Sequence, residues 1–495
     1  MIKSFSKLIL ILFSFSLLMI VEYSSAQTAL PIRGWKYVPQ NEESWAKIQK
    51  QIKEKNYSEV LDRTQKIIKK NNSTALQKAE AIISEALVLK ELGYPSLVME
   101  ILFGLIKDYP GTQVSYLALD QLNELLPANV FNQEEFQNLF NRGSFKEVPD
   151  NTVSMVAYFI ALDNMKKNLV NWINEPLSQI EPKSFWHYQL QYYKAVLFVK
   201  EKKLKEAEEL FELLQQNEQT PEPIRQKATL QRARLLVSRF EFDDAEKLYA
   251  KNIFSGRVMG RVQFENAFVR YRNKDYSTAL GMLKSLKAPY FETAINPNQY
   301  IMSMMIYRDL CYYQAVKKIA LEFDAKFGKL IMHLKEGKDP SESIILMRMA
   351  LQNGHLKQYA DLVDTIRKES DRIAADGAIS KNLKKEFSLM LSKNEARLQD
   401  YLRIPIQKKL NELANEMIEV SEKIKLLDYI SGLDQFRLKS NYESRDYKAE
   451  AADNFSFEKL YWPVTSEYWH DEFSNYKVIL TDRCEQDTIK SRTRK

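Results

Sequence analysis

Residues able to do acid–base, nucleophilic or metal chemistry are few and scattered in this sequence. The chain lacks the HExxH, GxxxxGK(S/T), GxGxxG and GxSxG patterns of zinc proteases, nucleotide sites and serine hydrolases. We therefore predict no catalytic, cofactor-binding or metal-binding residue, and expect the protein not to be an enzyme. The four histidines stand apart from one another, at His187, His333, His355 and His470.

One short cluster near the C-terminus combines carboxylates with an imidazole. Glu467, His470, Asp471 and Glu472 lie within six residues, a set of side chains compatible with a metal ion or an acid–base pair. No second histidine accompanies them, and aromatic residues surround them. The sequence therefore favours a folded, hydrogen-bonded tail at this position.

The two cysteines, Cys311 and Cys484, belong to no CxxC or Cys/His zinc pattern. An exported chain could oxidise them into a pair, but nothing in the sequence indicates that they meet. Free thiols are the simpler expectation.

The composition favours a long helical protein with a solvated, mixed-charge surface. Only 13 glycines and 15 prolines occur in 495 residues, too few for the many turns of a β-sandwich or barrel. Lysine and arginine total 72 against 65 acidic residues. The signs alternate in stretches such as Lys200 to Glu209, which argues against a nucleic-acid-binding face. We expect an all-α solenoid that grows end to end.

The N-terminus has the pattern of a secretory signal peptide. Lys3 and Lys7 precede an apolar run from Leu8 to Val21, and Ser24-Ser25-Ala26 supplies small residues for cleavage after Ala26. The run is shorter than the ~20 residues that span a bilayer. We therefore predict an exported protein whose mature chain has no transmembrane segment.

One unit recurs along the chain: a helix with a small residue, a short turn with an aromatic residue, and a second helix that opens with acidic-x-Ala. Three copies are clear, with Ala207, Ala245 and Ala279 in the second helix, and a fourth, weaker copy centres on Ala315. These alanines are 38, 34 and 36 residues apart.

The chain thus resembles the tetratricopeptide (TPR) proteins, whose repeats are about 34 residues long. Small residues let paired helices approach, and large residues fill the gap between successive repeats. The family's small residue, twelve places before the second-helix alanine, is matched by Ala195, Ala233, Ala267 and Ser303. Its large residue, four places after, is matched by Phe211, Tyr249, Leu283 and Ile319.

Two N-terminal stretches look similar, Asn56 to Val60 and Leu92 to Val98. Between residues 112 and 186 only degenerate helical pairs are visible, such as Val153 to Asn164 and Asn168 to Ile180. We expect seven or eight helical pairs before about residue 330.

Beyond Phe327 the repeat gives way to longer helices with a coiled-coil seam. Apolar residues alternate in steps of four and three, the signature of a helix packed on one long partner. We favour an antiparallel hairpin within the chain, with Ser341 to Lys368 and Lys381 to Leu402 as candidate partners, over a dimer interface. Pro405 should begin or kink the seam helix. The seam residues are Ile406, Leu410, Leu413, Met417, Val420, Ile424 and Leu427.

The segment after Ser440 is too aromatic to be disordered, and we expect it to fold against the helices as a cap. The run Leu460 to Glu472 is similar to tails of envelope repeat proteins from gliding and predatory bacteria. Eight aromatic residues fall within 22 positions: Phe455, Phe457, Tyr461, Trp462, Tyr468, Trp469, Phe473 and Tyr476.

The TPR resemblance also implies a partner-binding groove lined by first-helix side chains. The alternative is that these side chains pack against a neighbouring repeat or under the C-terminal part of the chain. Aromatic residues and arginine are favoured anchors in protein interfaces. The candidate partner-binding residues are Tyr192, Arg234, Phe264, Phe268, Tyr271 and, in the tail, Trp462 and Trp469.

These observations predict a non-catalytic interaction scaffold of the periplasm or cell envelope, within an outer-membrane, motility or secretion assembly. Its partners would be other envelope proteins, bound through the groove or the tail. A periplasmic assembly chaperone is the alternative, and a peptidoglycan-acting enzyme a distant third, because the tail is too short for a catalytic domain. The predicted parts are a signal peptide (1–26), a TPR-like solenoid (27–330), long helices with the seam (331–440) and an aromatic-rich tail (441–495).

Overall fold

The computed structural model describes residues 29–141, 145–167, 174–251, 256–291, 296–352, 354–439 and 476–484. These residues are almost entirely helical, which confirms the all-α prediction. The exception is a pair of three-residue parallel strands, β1 (Leu30–Ile32) and β2 (Glu147–Pro149), with Leu30 opposite Glu147. The predicted signal peptide lies outside the described residues.

Nineteen α-helices occur in the described ranges. The first nine are α1 (Glu42–Lys53), α2 (Tyr57–Lys69), α3 (Ala75–Glu91), α4 (Pro95–Asp108), α5 (Gln113–Leu125), α6 (Gln133–Asn141), α7 (Val153–Lys166), α8 (Asn174–Gln179) and α9 (Phe185–Lys200). The others are α10 (Leu204–Gln216), α11 (Glu222–Ser238), α12 (Phe242–Lys251), α13 (Gly256–Arg272), α14 (Tyr276–Ser285), α15 (Asn298–Asp309), α16 (Tyr313–Lys335), α17 (Ile344–Ala350), α18 (Gly354–Ala375) and α19 (Lys381–Lys439).

A single type of turn links the two helices of each recognisable repeat. Its central residue has a left-handed backbone, and two hydrogen bonds close the end of the first helix; after α13, Lys274 N–H donates to Tyr271 O and Asp275 N–H to Arg270 O. This is the Schellman arrangement, which satisfies carbonyls that the helix end leaves unpaired. The same geometry recurs at Lys55, Gly93, Lys202, Phe240, Lys274 and Cys311.

The predicted small and large positions are buried where the helices pair. Ala267 of α13 and Ala279 of α14 belong to one apolar cluster and are both fully inaccessible to solvent. A methyl side chain is the largest that allows two helices to approach so closely. Leu283, one turn after Ala279, is also buried in that cluster. The residues that recur in the repeat are therefore those that pack the two helices against each other.

The fourth repeat lies one residue away from its predicted register. In each repeat, the left-handed turn residue precedes the buried position of the second helix by five residues. In the fourth repeat the turn residue is Cys311, so the buried position is Val316. Val316 and Met304 are fully buried, whereas Ala315 and Ser303 are only half-buried. The prediction was wrong here because the alanine is adjacent to the position that the turn specifies.

The described residues form two compact units by their contacts. The first lies within Met1–Leu197, Glu218–Pro221 and Asp361–Leu398, and the second within Phe198–Asn217, Glu222–Ala360 and Gln399–Lys495.

In the first unit, most of α18 and the start of α19 form a helical hairpin, whereas the predicted hairpin involved the seam residues. Arg367 Nε donates to Glu395 Oε1 at 2.7 Å across the two helices. The hairpin also caps α4: Glu369 accepts hydrogen bonds from the N–H groups of Ser96 (2.9 Å) and Leu97 (3.1 Å). A carboxylate is a favourable partner for a helix N-terminus. No local sequence pattern predicts this contact, because it joins residues more than 270 positions apart.

In the second unit, the predicted seam is buried within the chain. Its central residue Met417 is fully buried among side chains of α15, α16 and α17. The prediction that the seam packs on Lys381 to Leu402 was wrong, because those residues belong to the same helix as the seam. Pro405 lies inside α19 and does not begin it. A proline inside a helix removes one hydrogen bond and crowds the carbonyl of the preceding turn; the buried seam offsets this cost.

Met417→Lys should lower the free energy of unfolding of the second unit by a few kcal/mol, because it buries an unpaired charge. Thermal and urea denaturation measure the effect. The matched control is Leu426→Lys on the same helix, where the side chain is 56% exposed; a change beyond about 0.5 kcal/mol is not expected there. An unchanged Met417→Lys variant would contradict the buried seam.

A buried carboxyl makes the first unit sensitive to pH. Glu85 of α3 is 4% exposed and accepts hydrogen bonds from Thr64 Oγ1 (2.8 Å) and Gln65 Nε2 (3.0 Å) of α2. Burial outweighs these hydrogen bonds and raises the pKa of Glu85 from 4.5 to about 7. The folded state therefore keeps a proton that the unfolded state has already lost.

The stability that this proton supplies should be complete below pH 4.5 and should disappear as the pH rises through 7, by roughly 3 kcal/mol. Urea unfolding at pH 4.5 and pH 8 measures the difference. Glu85→Gln keeps an oxygen acceptor for Thr64 and Gln65 and should reduce the pH dependence. If the variant and the natural protein lose stability equally between the two pH values, Glu85 does not hold the proton.

Candidate partner-binding surfaces

Two of the predicted groove residues have partners within their own unit. Tyr192 of α9 is half-buried, and its ring meets that of Tyr193 edge-on at 6.0 Å. Arg234 of α11 donates from Nε and Nη2 to the two carboxylate oxygens of Glu265, at 2.9 and 2.8 Å. This two-point pairing fixes the guanidinium plane. A role for either residue in partner binding remains a prediction.

Glu265 is the centre of a polar network. Besides Arg234, it accepts hydrogen bonds from the Tyr249 hydroxyl (3.1 Å) and from Nε of Arg261 (3.0 Å). Burial, with the negative charge of Glu265, raises the pKa of Tyr249. The network holds α11, α12 and α13 together in the second unit.

The aromatic triplet of α13 is half-buried. Phe264, Phe268 and Tyr271 pack against the apolar cluster around Ala267 and Ala279. Tyr271 donates a hydrogen bond to Asp309 Oδ2 at 3.0 Å, and burial and the Asp309 charge raise its pKa to about 12. These side chains contribute to the packing of their unit, and part of each remains accessible.

The C-terminal segment 476–484, here called the strap, packs against the same cluster. Tyr476, Val478 and Leu480 are half-buried against it, while Lys477 and Ile479 point to solvent. This alternation is the signature of an extended peptide. Trp462 and Trp469, and the cluster of Glu467, His470, Asp471 and Glu472, lie outside the described residues.

A disulfide joins the strap to a repeat turn. Cys484 is bonded to Cys311, and their Cα atoms are 5.5 Å apart. The expectation of free thiols was wrong, because the fold places the last described residue beside the left-handed turn residue before α16. Sequence spacing gave no sign of the pair, since 173 residues separate the two cysteines.

A cleft in the first unit escaped sequence reasoning. It is lined by Met99, Phe103, Phe131 and Phe136, and by acidic Glu100 and Glu135. Arg397 of the helical hairpin bonds both acids, at 2.7 Å to Glu100 and 3.0 Å to Glu135. The three phenylalanines come from α4, from the loop before α6 and from α6, so no single helical periodicity predicts them.

Within the described ranges, no group of three or more His, Cys, Asp and Glu side chains could hold a metal ion. Nor does any helix in the described part of the chain combine the length and apolar character needed to cross a membrane. No protein-family model matches this sequence, and no curated protein matches it either.

Breaking the disulfide should free the end of the strap. With Cys484→Ser, tryptic cleavage after Lys477 and Arg483 should become severalfold faster than in the natural protein, because an unanchored segment opens more often. Mass spectrometry of timed digests measures both rates. Cleavage after Lys70, in the exposed loop between α2 and α3, serves as the internal control. Equal rates in both proteins would mean that packing alone holds the strap.

Proposed function

We propose that this chain is a non-catalytic interaction scaffold of the TPR kind, exported to the bacterial periplasm or cell envelope. In this proposal it binds other envelope proteins within an outer-membrane, motility or secretion assembly.

The observation that carries the proposal is the repetition of one turn geometry, with its two hydrogen bonds, inside six pairs of helices. Repeated helix pairs present long rows of side chains, which repeat proteins use to bind partners. Partly exposed aromatic residues such as Tyr192 and Phe268 belong to the classes that anchor protein interfaces.

The disulfide between Cys311 and Cys484 supports the proposed compartment. Disulfides persist outside the reducing cytosol, and the signal-peptide pattern of residues 1–26 points the same way. Two independent features of the chain therefore favour export.

The proposal is tested by cross-linking a tagged full-length chain in intact cells and purifying it from the envelope fraction. A defined partner at constant stoichiometry is the expected result. Brief contacts with many unfolded envelope proteins would favour the assembly chaperone, and cleavage of peptidoglycan by the purified protein would favour an enzyme. Recovery only from the cytosol would contradict export.

Replacing Phe264 and Phe268 together by alanine should weaken capture of that partner by about tenfold or more, with helicity by circular dichroism unchanged. The matched control is Phe240→Ala, which removes a 71% exposed phenylalanine from a repeat turn. Loss of helicity along with binding would mean that the two phenylalanines serve only the core.

A further inference from the structure

The strap is bound through its backbone as much as through its side chains. Val478 N–H donates to Ser277 O of α14 at 3.0 Å. The Tyr312 hydroxyl donates to Thr481 O at 3.1 Å and accepts a hydrogen bond from Thr481 N–H at 3.3 Å. Backbone contacts of this type recognise an extended chain without demanding a particular sequence.

A glycine makes room for the strap. Gly281 lies in the middle of α14, where glycine costs about 1 kcal/mol relative to alanine. A Cβ at this position would lie 2.6 Å from Lys477 N and closer still to the Tyr476 carbonyl. Helix interiors accept glycine where another backbone must come close. Gly281 therefore allows an extended peptide backbone to contact the surface of α14.

The strap borders the predicted groove, because Tyr476, Val478 and Leu480 pack on the same apolar cluster as the groove residues of α13. Gly281 is two residues after Ala279, so it faces away from the α13 side of α14, since successive helical residues are about 100° apart. We call the surface of Ser277, Gly281 and Tyr312 the α14 track.

We propose that the α14 track is a docking site for an extended peptide with apolar side chains at every second position. The disulfide between Cys311 and Cys484 keeps the protein's own strap in this track. The track becomes available to a second peptide when the disulfide is reduced. The pattern of the incoming peptide is that of the strap, in which Tyr476, Val478 and Leu480 face the protein.

The release step needs a dithiol reductant. One of its thiolates attacks a sulfur of the disulfide, forms a mixed disulfide and releases the first cysteine as a thiolate. The second thiol of the reductant then attacks the mixed disulfide and releases the second cysteine. Two electrons pass to the cysteines, which end as thiols, and the reductant ends as a disulfide. Both cysteines are partly exposed, so a thiolate has access.

Reduction of the disulfide frees the track because it lowers the effective concentration of the strap there. The disulfide anchors the strap immediately beside Tyr312, and its reduction removes this covalent anchor. A separate peptide can then compete.

The probe is a fluorescein-labelled peptide of residues 474–484 carrying Cys484→Ser, followed by fluorescence anisotropy with the full-length chain. The track is vacated by combining Cys484→Ser with Val478→Asp and Leu480→Asp in the protein. This variant should bind the peptide at least tenfold more tightly than the oxidised natural protein. Reducing the natural protein with the dithiol dithiothreitol should move its affinity towards that of the variant.

The control variants separate docking from folding. Gly281→Ala, added to the vacated protein, should abolish binding, whereas Gly104→Ala should leave it intact, because a Cβ added at Gly104 of α4 has no neighbouring atom within 4 Å. A scrambled peptide without alternating apolar residues should not bind.

Absence of binding to the vacated, helical variant would overturn the proposal, as would equal binding to the oxidised natural protein. The experiment uses only this chain and its own peptide, so its outcome is independent of the proposed compartment and partner.

Discussion

Burial of one facing position on each helix of a pair is the constraint on which each repeat depends; three pairs place alanine there, and the fourth places Met304 and Val316. Where Ala267 meets α14 and Ala279 meets α13, a larger side chain would hold the helices apart. The Schellman turn, whose left-handed residue lies five residues before the buried position, then sets where the second helix begins. Burial and turn geometry therefore reinforce each other, and this agreement between local and tertiary preferences is what specifies a single fold.

The last repeats need something to cover them, because a solenoid leaves an apolar face at its end. In the second unit, the seam of α19 covers α15, α16 and α17. The strap covers part of the neighbouring cluster, around Ala279. In the first unit, the α18–α19 hairpin provides Glu369 as the cap of α4. Long-range elements thus complete what the repeats cannot supply for themselves.

The contribution of a polar contact to stability depends on how deeply the contact is buried. The Arg397 pairs with Glu100 and Glu135 involve a half-exposed arginine, where solvent screens the charges and the contribution is small. Glu85 is nearly inaccessible, so its desolvation dominates and its protonation is linked to folding. The disulfide adds a covalent constraint to the strap, whose release would change access to the α14 track without disturbing the helix pairs.

The sequence by itself determined the helical class, the positions of Ala207, Ala245 and Ala279, and the apolar seam around Met417, because each follows from a periodicity that short-range geometry imposes. It misplaced the fourth repeat by one residue, since an alanine adjacent to the true position satisfied the same pattern. Only the tertiary structure decided the pairing of Cys311 with Cys484, the Glu369 cap and the role of Gly281. Each of these joins segments distant in the chain, and such contacts depend on how the helices pack in three dimensions, which no local spacing encodes.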